Sequence, residues 1–237
     1  MRSVDLRDHG GDGTPVVLLH GGGGRTRHDW DHLVPLLPEF RVVTYTFRPG
    51  PWNWRQALAD LADVIRHFDL DRPAVVGHSL GGMLAALWAA EHPECPLAVN
   101  LDGHTNPTGP VLRGFVDEQV RLSGDPDLGA LIAAFDELDL IGTYRATRCP
   151  LLVVSSLRPE AGMMLPEEVG VAFARYRKEF GDQLAAAAAD TPLLSLHETD
   201  TGHDVHFEAA EEVADLIRRA TGTRPSPRGA PRECRDQ

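Results

Sequence analysis

The chain reads as an α/β fold, with a mostly parallel central sheet, helices on both faces and a small helical cap. Three features predict this: continuous apolar runs of strand length, amphipathic helical stretches alternating with them, and one helical segment too long for a simple crossover. The first strand, residues 16–19, follows the turn sequence Gly11-Asp12-Gly13-Thr14-Pro15, and the second, residues 41–47, is rich in β-branched and aromatic residues. Both have the unbroken apolar character of strands buried on two faces. Between residues 54 and 68, Trp54, Ala57, Leu58, Leu61, Ala62, Ile65 and Phe68 recur every three or four positions and leave Arg55, Asp60 and Arg66 to solvent, which is an amphipathic helix. Residues 73–76 are the next strand, after the turn Asp69-Leu70-Asp71-Arg72, and the alanine-rich residues 83–92 the next helix. Strands are expected at 97–101, 151–155 and 193–197, and a last helix at 208–220. The alternation predicts right-handed crossovers.

Two segments exceed what crossovers need. Residues 105–147 open on the breakers Asn106-Pro107-Thr108-Gly109-Pro110 and continue with two helical patterns, 111–122 and 128–140. They are expected to form the cap, inserted into a core made of residues 1–104 and 148–220. Residues 166–189 are helical, as one helix or as two broken near Gly181. From 221 to 237 the chain is polar and proline-rich, and a disordered tail is expected.

Charge and composition exclude several classes of function. A net charge of −12 argues against a nucleic-acid partner, whose phosphates need clustered Lys and Arg. No run approaches the ~18 apolar residues of a membrane span, and residues 1–8 lack an apolar signal core, so no membrane partner and a cytoplasmic location are expected. Cys95, Cys149 and Cys234 are odd in number and widely spaced, which disfavours a disulfide framework or a zinc site. The oligomeric state is not readable.

The chemistry concentrates in three loops. Gly77-His78-Ser79-Leu80-Gly81-Gly82 places a serine between glycines at a strand-to-helix junction, the pattern of a nucleophile elbow. Such a turn exposes the hydroxyl at the carboxyl edge of the sheet, and Gly77 and Gly81 suit it because strand and helix approach too closely there for side chains. Gly202-His203-Asp204 lies between the last strand and the last helix, where a loop opens at that same edge, so His203 is the candidate base. Four glycines in His20-Gly21-Gly22-Gly23-Gly24 allow backbone N–H groups to face a substrate oxygen, with Gly22 and Leu80 as the candidate oxyanion donors. A flexible loop or a phosphate cradle is the competing reading of that run, but it lacks the G-K-[ST] ending of a P-loop.

With these three motifs in this order, the chain from about residue 16 to about residue 220 resembles the α/β-hydrolase superfamily, in its small capped single-domain branch. The resemblance implies a serine hydrolase with Ser79 as nucleophile, His203 as base, a carboxylate from an intervening loop, and no metal or organic cofactor. The carboxylate departs from the commonest pattern. Many members carry it after the strand that follows the cap, where this chain has Ser156-Leu157-Arg158-Pro159-Glu160. The other position the family uses follows the strand beside the nucleophile helix, and Asp102 stands there. Asp102 is therefore preferred to Glu160 as the residue that orients the imidazole, although Asp102-Gly103 is also a common turn pair and helix cap.

Other residues carry weaker readings. Trp52, His104, Phe115 and Phe135 are candidate substrate-binding residues, and Leu112, Val116 and Leu131 would complete an apolar roof. His78 is expected to pack behind the elbow, Arg48 to brace its loop, and Trp30 and Trp54 to pack in the core or at the rim. His206 invites a metal reading, which the absence of a third ligand at recognisable spacing weakens. The expected substrate is a small molecule carrying an ester, lactone or thioester. A non-hydrolytic receptor or biosynthetic enzyme, a C–C bond hydrolase and a cofactor-free peroxidase remain alternatives on the same residues.

Overall fold

The computed structural model describes residues 5–104, 109–158 and 165–223. Its centre is a seven-stranded sheet: β1 (Leu6–Asp8), β2 (Pro15–Leu19), β3 (Arg41–Tyr45), β4 (Ala74–His78), β5 (Ala98–Leu101), β6 (Leu151–Ser156) and β7 (Leu194–Thr199), in the order β1-β3-β2-β4-β5-β6-β7. β1 pairs antiparallel to β3, and every other neighbouring pair is parallel. The edge strand β1 has no counterpart in the sequence reading, because three residues ending on Asp8 carry no apolar run.

The two-residue period of the strands divides the core in two. Val17, Leu19, Val43 and Val75 face one side, against α1 (Trp54–His67), α2 (Leu80–Glu91) and α6 (Glu167–Asp190). Val16, Leu18, Val42 and Val76 face the other, against Trp30, Leu33 and the apolar stripe Val213, Ala214 and Ile217 of α8 (Ala210–Thr221). Helix starts follow local chemistry: the Asn53 carboxamide accepts the Gln56 N–H at 3.0 Å and opens α1. α2 is apolar nearly all round because it packs against β4 and β5 beneath other helices.

Between β5 and β6 the described residues form three helices where two patterns were expected: α3 (Pro110–Ser123), α4 (Pro126–Glu137) and α5 (Leu140–Arg145). Asp139 caps α5 by accepting the Gly142 N–H, which separates it from α4. α5 packs on α2 and α6, and its buried Tyr144 hydroxyl accepts a hydrogen bond from Asn100 Nδ2 at 2.6 Å. α6 runs unbroken through Gly181, since a single glycine weakens a helix by only about 1 kcal/mol. The last helix is preceded by one short turn, α7 (Val205–Glu208). Among the described residues no helix is long and apolar enough to cross a membrane. Cys95 and Cys149 are buried and free, while Cys234, Glu160 and most of the expected tail lie outside the described residues.

Parallel register puts the carboxyl ends of the strands in one row. Leu19 pairs with Gly77, Gly77 with Asn100, and Leu101 with Val154, so the loops beginning at His20, Ser79, Asp102 and Leu157 open side by side. The strand–helix contact beneath Ser79 is so close that a Cβ on Gly77 would overlap the Gly81 carbonyl, and one on Gly81 would overlap the Leu19 carbonyl. Backbone cannot yield there as a side chain can. Gly77→Ala is therefore expected to destabilise by about 3 kcal/mol or more and to lower the melting temperature by roughly 6–12 °C, measured by circular dichroism. A melting temperature within about 2 °C of the parent would refute the close-approach argument.

Candidate active site

Ser79 sits at the tip of β4 with φ 51° and ψ −114°, a conformation L-residues avoid. Such strain costs on the order of 1–3 kcal/mol and persists only where the surroundings over-determine it. Here they do: the Ser79 N–H donates to the Leu101 carbonyl at 2.9 Å, and the Ser79 carbonyl accepts from Met83 N–H at 3.1 Å as α2 begins. A Cβ on Gly103 would strike the Ser79 carbonyl, so the loop after β5 also presses on the turn. Leu80 is the first residue of α2, and its N–H belongs to the helix-start donors that have no partner within the helix.

The His203 ring comes from the loop between β7 and α7 and meets Asp102 across 101 residues of chain, Nδ1 to Oδ2 at 2.7 Å. The carboxylate of Asp102 is wholly buried, and its other oxygen accepts from the Ser156 N–H at 2.9 Å and from Arg177 Nη2 at 2.9 Å. Burial alone would raise this carboxyl. The hydrogen bond with His203 and the charge of Arg177 outweigh it and hold the group well below the usual carboxylate range. An ionised Asp102 accepts only, so the His203 nitrogen facing it, Nδ1, is the donor of this hydrogen bond. Asp102 has φ 50°, which turns the chain sharply after β5 and brings the side chain under the imidazole.

The histidine loop is anchored on three sides. Gly202 N–H donates to Glu208 Oε2 at 2.9 Å, His78 Nε2 donates to the His203 carbonyl at 2.9 Å, and Arg25 Nη2 bonds Asp204 Oδ1 at 2.6 Å. Arg25 also reaches Asp29 at 3.3 Å, so the glycine-rich loop and the histidine loop are joined by one guanidinium. Within the glycine-rich loop, Gly23 and Gly24 adopt φ 72° and 77°. Gly22 lies beside Leu80 and beneath Leu131 of α4, so the two expected oxyanion donors are neighbours.

His20 fixes the start of that loop. Its Nδ1 bonds the Gly21 carbonyl at 2.6 Å and its Nε2 accepts the Phe47 N–H at 2.8 Å, which together require the neutral ring with the proton on Nδ1. Burial pushes its pKa down to about 4, against the smaller raising effect of the Gly21 carbonyl.

Most of the remaining expected residues fall into two aromatic groups. His104 stands beside the triad-like cluster, 6.0 Å from the His203 ring between centroids and 3.4 Å from the Tyr176 hydroxyl, in an aromatic wall with Phe173 and Phe180. Trp52, Trp54 and Phe135 form a second aromatic row, in which Trp52 packs edge-on between Phe47 and Trp54, and Phe135 stacks on Trp54. Trp54 Nε1 donates to the Ala134 carbonyl at 2.8 Å and ties α4 to the start of α1. Phe115 packs half-buried against the main core, and Arg48 makes a bidentate pair with Asp60. Trp30 is fully buried on a short 3-10 turn rather than at the rim.

Sequence reasoning missed Arg177, which has no motif and lies on α6 between Phe173, Tyr176 and Phe180. A cation on the apolar face of a helix is the signal that marks it. Among the described residues, two groups of donor atoms have metal-ligand chemistry, Asp102–His104–His203 and His78–Asp204–His206. In the first, both Asp102 oxygens are already taken by His203, Ser156 and Arg177.

A family model for the alpha/beta hydrolase fold matches residues 14–147. The proline iminopeptidase of Clostridium botulinum is 32% identical over 93 residues, which are 35% of this chain and 32% of that protein. The pimeloyl-[acyl-carrier protein] methyl ester esterase of Neisseria meningitidis is 34% identical over 126 residues, 51% of this chain and 46% of that protein. The chain thus spans less than half the length of either relative. The crystal structure of the enol-lactonase from Burkholderia xenovorans superposes with a TM-score of 0.67 at 17% identity, covering 92% of this chain and 96% of that one.

The neutral His20 makes stability depend on pH. The unfolded chain takes up this proton near pH 6.5 and the folded chain only near pH 4, so the contribution is complete above about 6.5 and is lost as the pH falls towards and through 4. His20→Gln keeps an acceptor for Phe47 N–H without titrating. Urea unfolding at pH 7 and pH 4 is expected to show a loss of stability up to about 3 kcal/mol smaller in the variant than in the parent. Equal losses in both proteins would contradict the assignment.

Proposed function

Because the chain belongs to the alpha/beta hydrolase fold family, we propose that it is a serine hydrolase cleaving an ester-like bond of a small to medium hydrophobic molecule. The bond is a carboxylic ester, lactone or thioester, and the acyl group passes through Ser79. The observation that carries this reading is the buried, ionised Asp102 that holds Nδ1 of His203 at 2.7 Å, on the same sheet edge where the strained Ser79 stands. The methyl ester esterase and the enol-lactonase among the similar proteins support the choice of bond.

In the proposed mechanism, Ser79 Oγ attacks the carbonyl carbon and its proton passes to His203 Nε2. The carbonyl π pair moves onto oxygen, which accepts from the N–H groups of Leu80 and Gly22. Collapse breaks the bond to the leaving group, which takes the proton from His203 as it departs. Water then attacks the acyl-enzyme, gives its proton to His203, and the acid leaves as Ser79 recovers its hydrogen. Asp102 stays ionised throughout and stabilises the imidazolium. Helices α3 and α4 act as the cap, with Leu131 above Gly22 and Phe135 on Trp54 giving an apolar roof. His104, Tyr176 and Phe180 form the opposite wall.

Arg177 is a positioning residue in this scheme, since it touches Asp102 and the Ser156 carbonyl rather than the reacting atoms. Its hydrogen bond is charge-assisted on both sides, a class that contributes roughly 1.5–3 kcal/mol.

Incubation with a fluorophosphonate is expected to add one adduct, on Ser79. Ser79→Ala should lower kcat on p-nitrophenyl esters by on the order of 10³-fold or more. A parent protein that neither takes the label nor turns over any ester would overturn the hydrolase reading in favour of a binding protein. Arg177→Gln is expected to lower kcat by roughly 10-fold or more with KM little changed, and Arg177→Lys to recover part of the loss. A change confined to KM would place Arg177 in substrate binding instead.

A further inference from the structure

The proposed hydrolysis leaves one buried group unused. His206 is fully buried on α7, between the rings of Trp30 at 4.8 Å, His78 at 4.2 Å and Phe207 at 4.3 Å between centroids. Neither of its ring nitrogens has a hydrogen-bond partner among the described residues, and His78 Nδ1 and Trp30 Nε1 beside it are likewise unpaired. A buried polar group left in this state costs about 1–3 kcal/mol, and native proteins rarely tolerate several together. Both imidazoles are held neutral by burial, reinforced at His206 by the Arg25 charge and at His78 by His206 itself.

Asp204 supplies the third group. Its carboxylate lies 3.8 Å from His78 Nε2, and one donor atom from each of His78, Asp204 and His206 falls within 4.8 Å of the others. Ligands around a zinc ion at about 2.0–2.2 Å stand roughly 3.3–3.6 Å apart, so a closure of about 1 Å would complete the shell. Asp204 is the solvent-facing member of the three, its side chain 40% exposed, whereas both histidines are buried. Arg25 holds Asp204 and opposes a cation there, but it already has a second carboxylate in Asp29. Two imidazoles and one carboxylate select a first-row transition ion over magnesium or calcium, which prefer all-oxygen shells.

We propose that His78, Asp204 and His206 bind a divalent transition-metal ion of the zinc type behind the elbow, and that its binding turns off the neighbouring site. The coupling is direct. His78 Nε2 is the nitrogen that holds the His203 carbonyl, and it is also the one that faces Asp204. Coordination through Nε2 requires the proton of the neutral His78 ring to move to Nδ1, which has no hydrogen-bond partner among the described residues, and so takes that bond from the histidine loop. The binding itself is independent of the hydrolase reading; only the loss of turnover rests on it.

Calorimetric titration of chelator-stripped protein with zinc chloride tests the site, using His206→Phe, which keeps a ring of similar size without its nitrogens, and Asp204→Asn as a second variant. The parent is expected to bind one equivalent of zinc that both variants bind at least tenfold more weakly, with a tetrahedral cobalt(II) absorption band in the parent alone. Zinc should inhibit ester hydrolysis by the parent at concentrations that spare whichever variant retains turnover. A parent that binds no stoichiometric zinc would overturn the proposal. So would variants that bind zinc as tightly as the parent, since the ion would then sit at Asp102–His104–His203 or on exposed imidazoles. If His206→Phe fails to fold, Asp204→Asn decides alone. A parent that binds zinc but hydrolyses no ester would keep the metal site and remove the hydrolase reading.

Discussion

A buried carboxylate must collect enough donors to remain ionised, and in this molecule that requirement organises the whole edge of the sheet. Asp102 draws donors from three separate segments: His203 from the loop after β7, the backbone of Ser156 at the end of β6, and Arg177 from α6. Its own position is set by β5 and by a left-handed turn at φ 50°. The imidazole, the strand end and the helix are thereby held to one point. Removing water from a charge is expensive, so the donors are structural necessities whichever reaction follows.

The second constraint is steric, and it acts on the same few ångströms. Gly77, Gly81 and Gly103 are places where a Cβ would overlap backbone, and Gly82 is one where it would overlap the Asn100 carboxamide. Asn100 accepts from Gly103 N–H at 2.7 Å and donates to the Gly103 carbonyl at 3.0 Å, so the loop carrying Asp102 is stitched to the strand below it. Ser79 is pressed into positive φ between these two compact turns. The proposed nucleophile and its proposed acid partner are thus shaped by one close-packed unit, which explains why two adjacent strands, β4 and β5, are each followed directly by a non-glycine residue at positive φ.

Much of this was legible in the sequence because it depends on local pattern. Strand runs, the amphipathic α1 and the Gly77–Gly82 turn carry their signals within a few residues, and the parallel order of the strands then aligns Ser79, His203 and Asp102 at one edge. What escaped depends on contacts between distant segments or on very short ones. β1 is three residues long and α5 six, too short for a period to show. Arg177 bonds a carboxylate 75 residues away, and nothing in its own neighbourhood names that partner. His206 is similar: its spacing from His203 shows no third ligand, whereas folding sets it against His78 from the elbow and beside Asp204.

The anchoring of His203 by Asp102 is the interaction on which the proposed chemistry turns, and proton NMR of protein carrying ¹⁵N-labelled histidine reports it directly. A hydrogen-bonded Nδ1–H of His203 should give a far-downfield resonance in the parent, and that resonance should be lost in Asp102→Asn while the remaining histidine signals keep their positions. A parent spectrum without such a resonance, or one that survives unchanged in Asp102→Asn, would contradict the account.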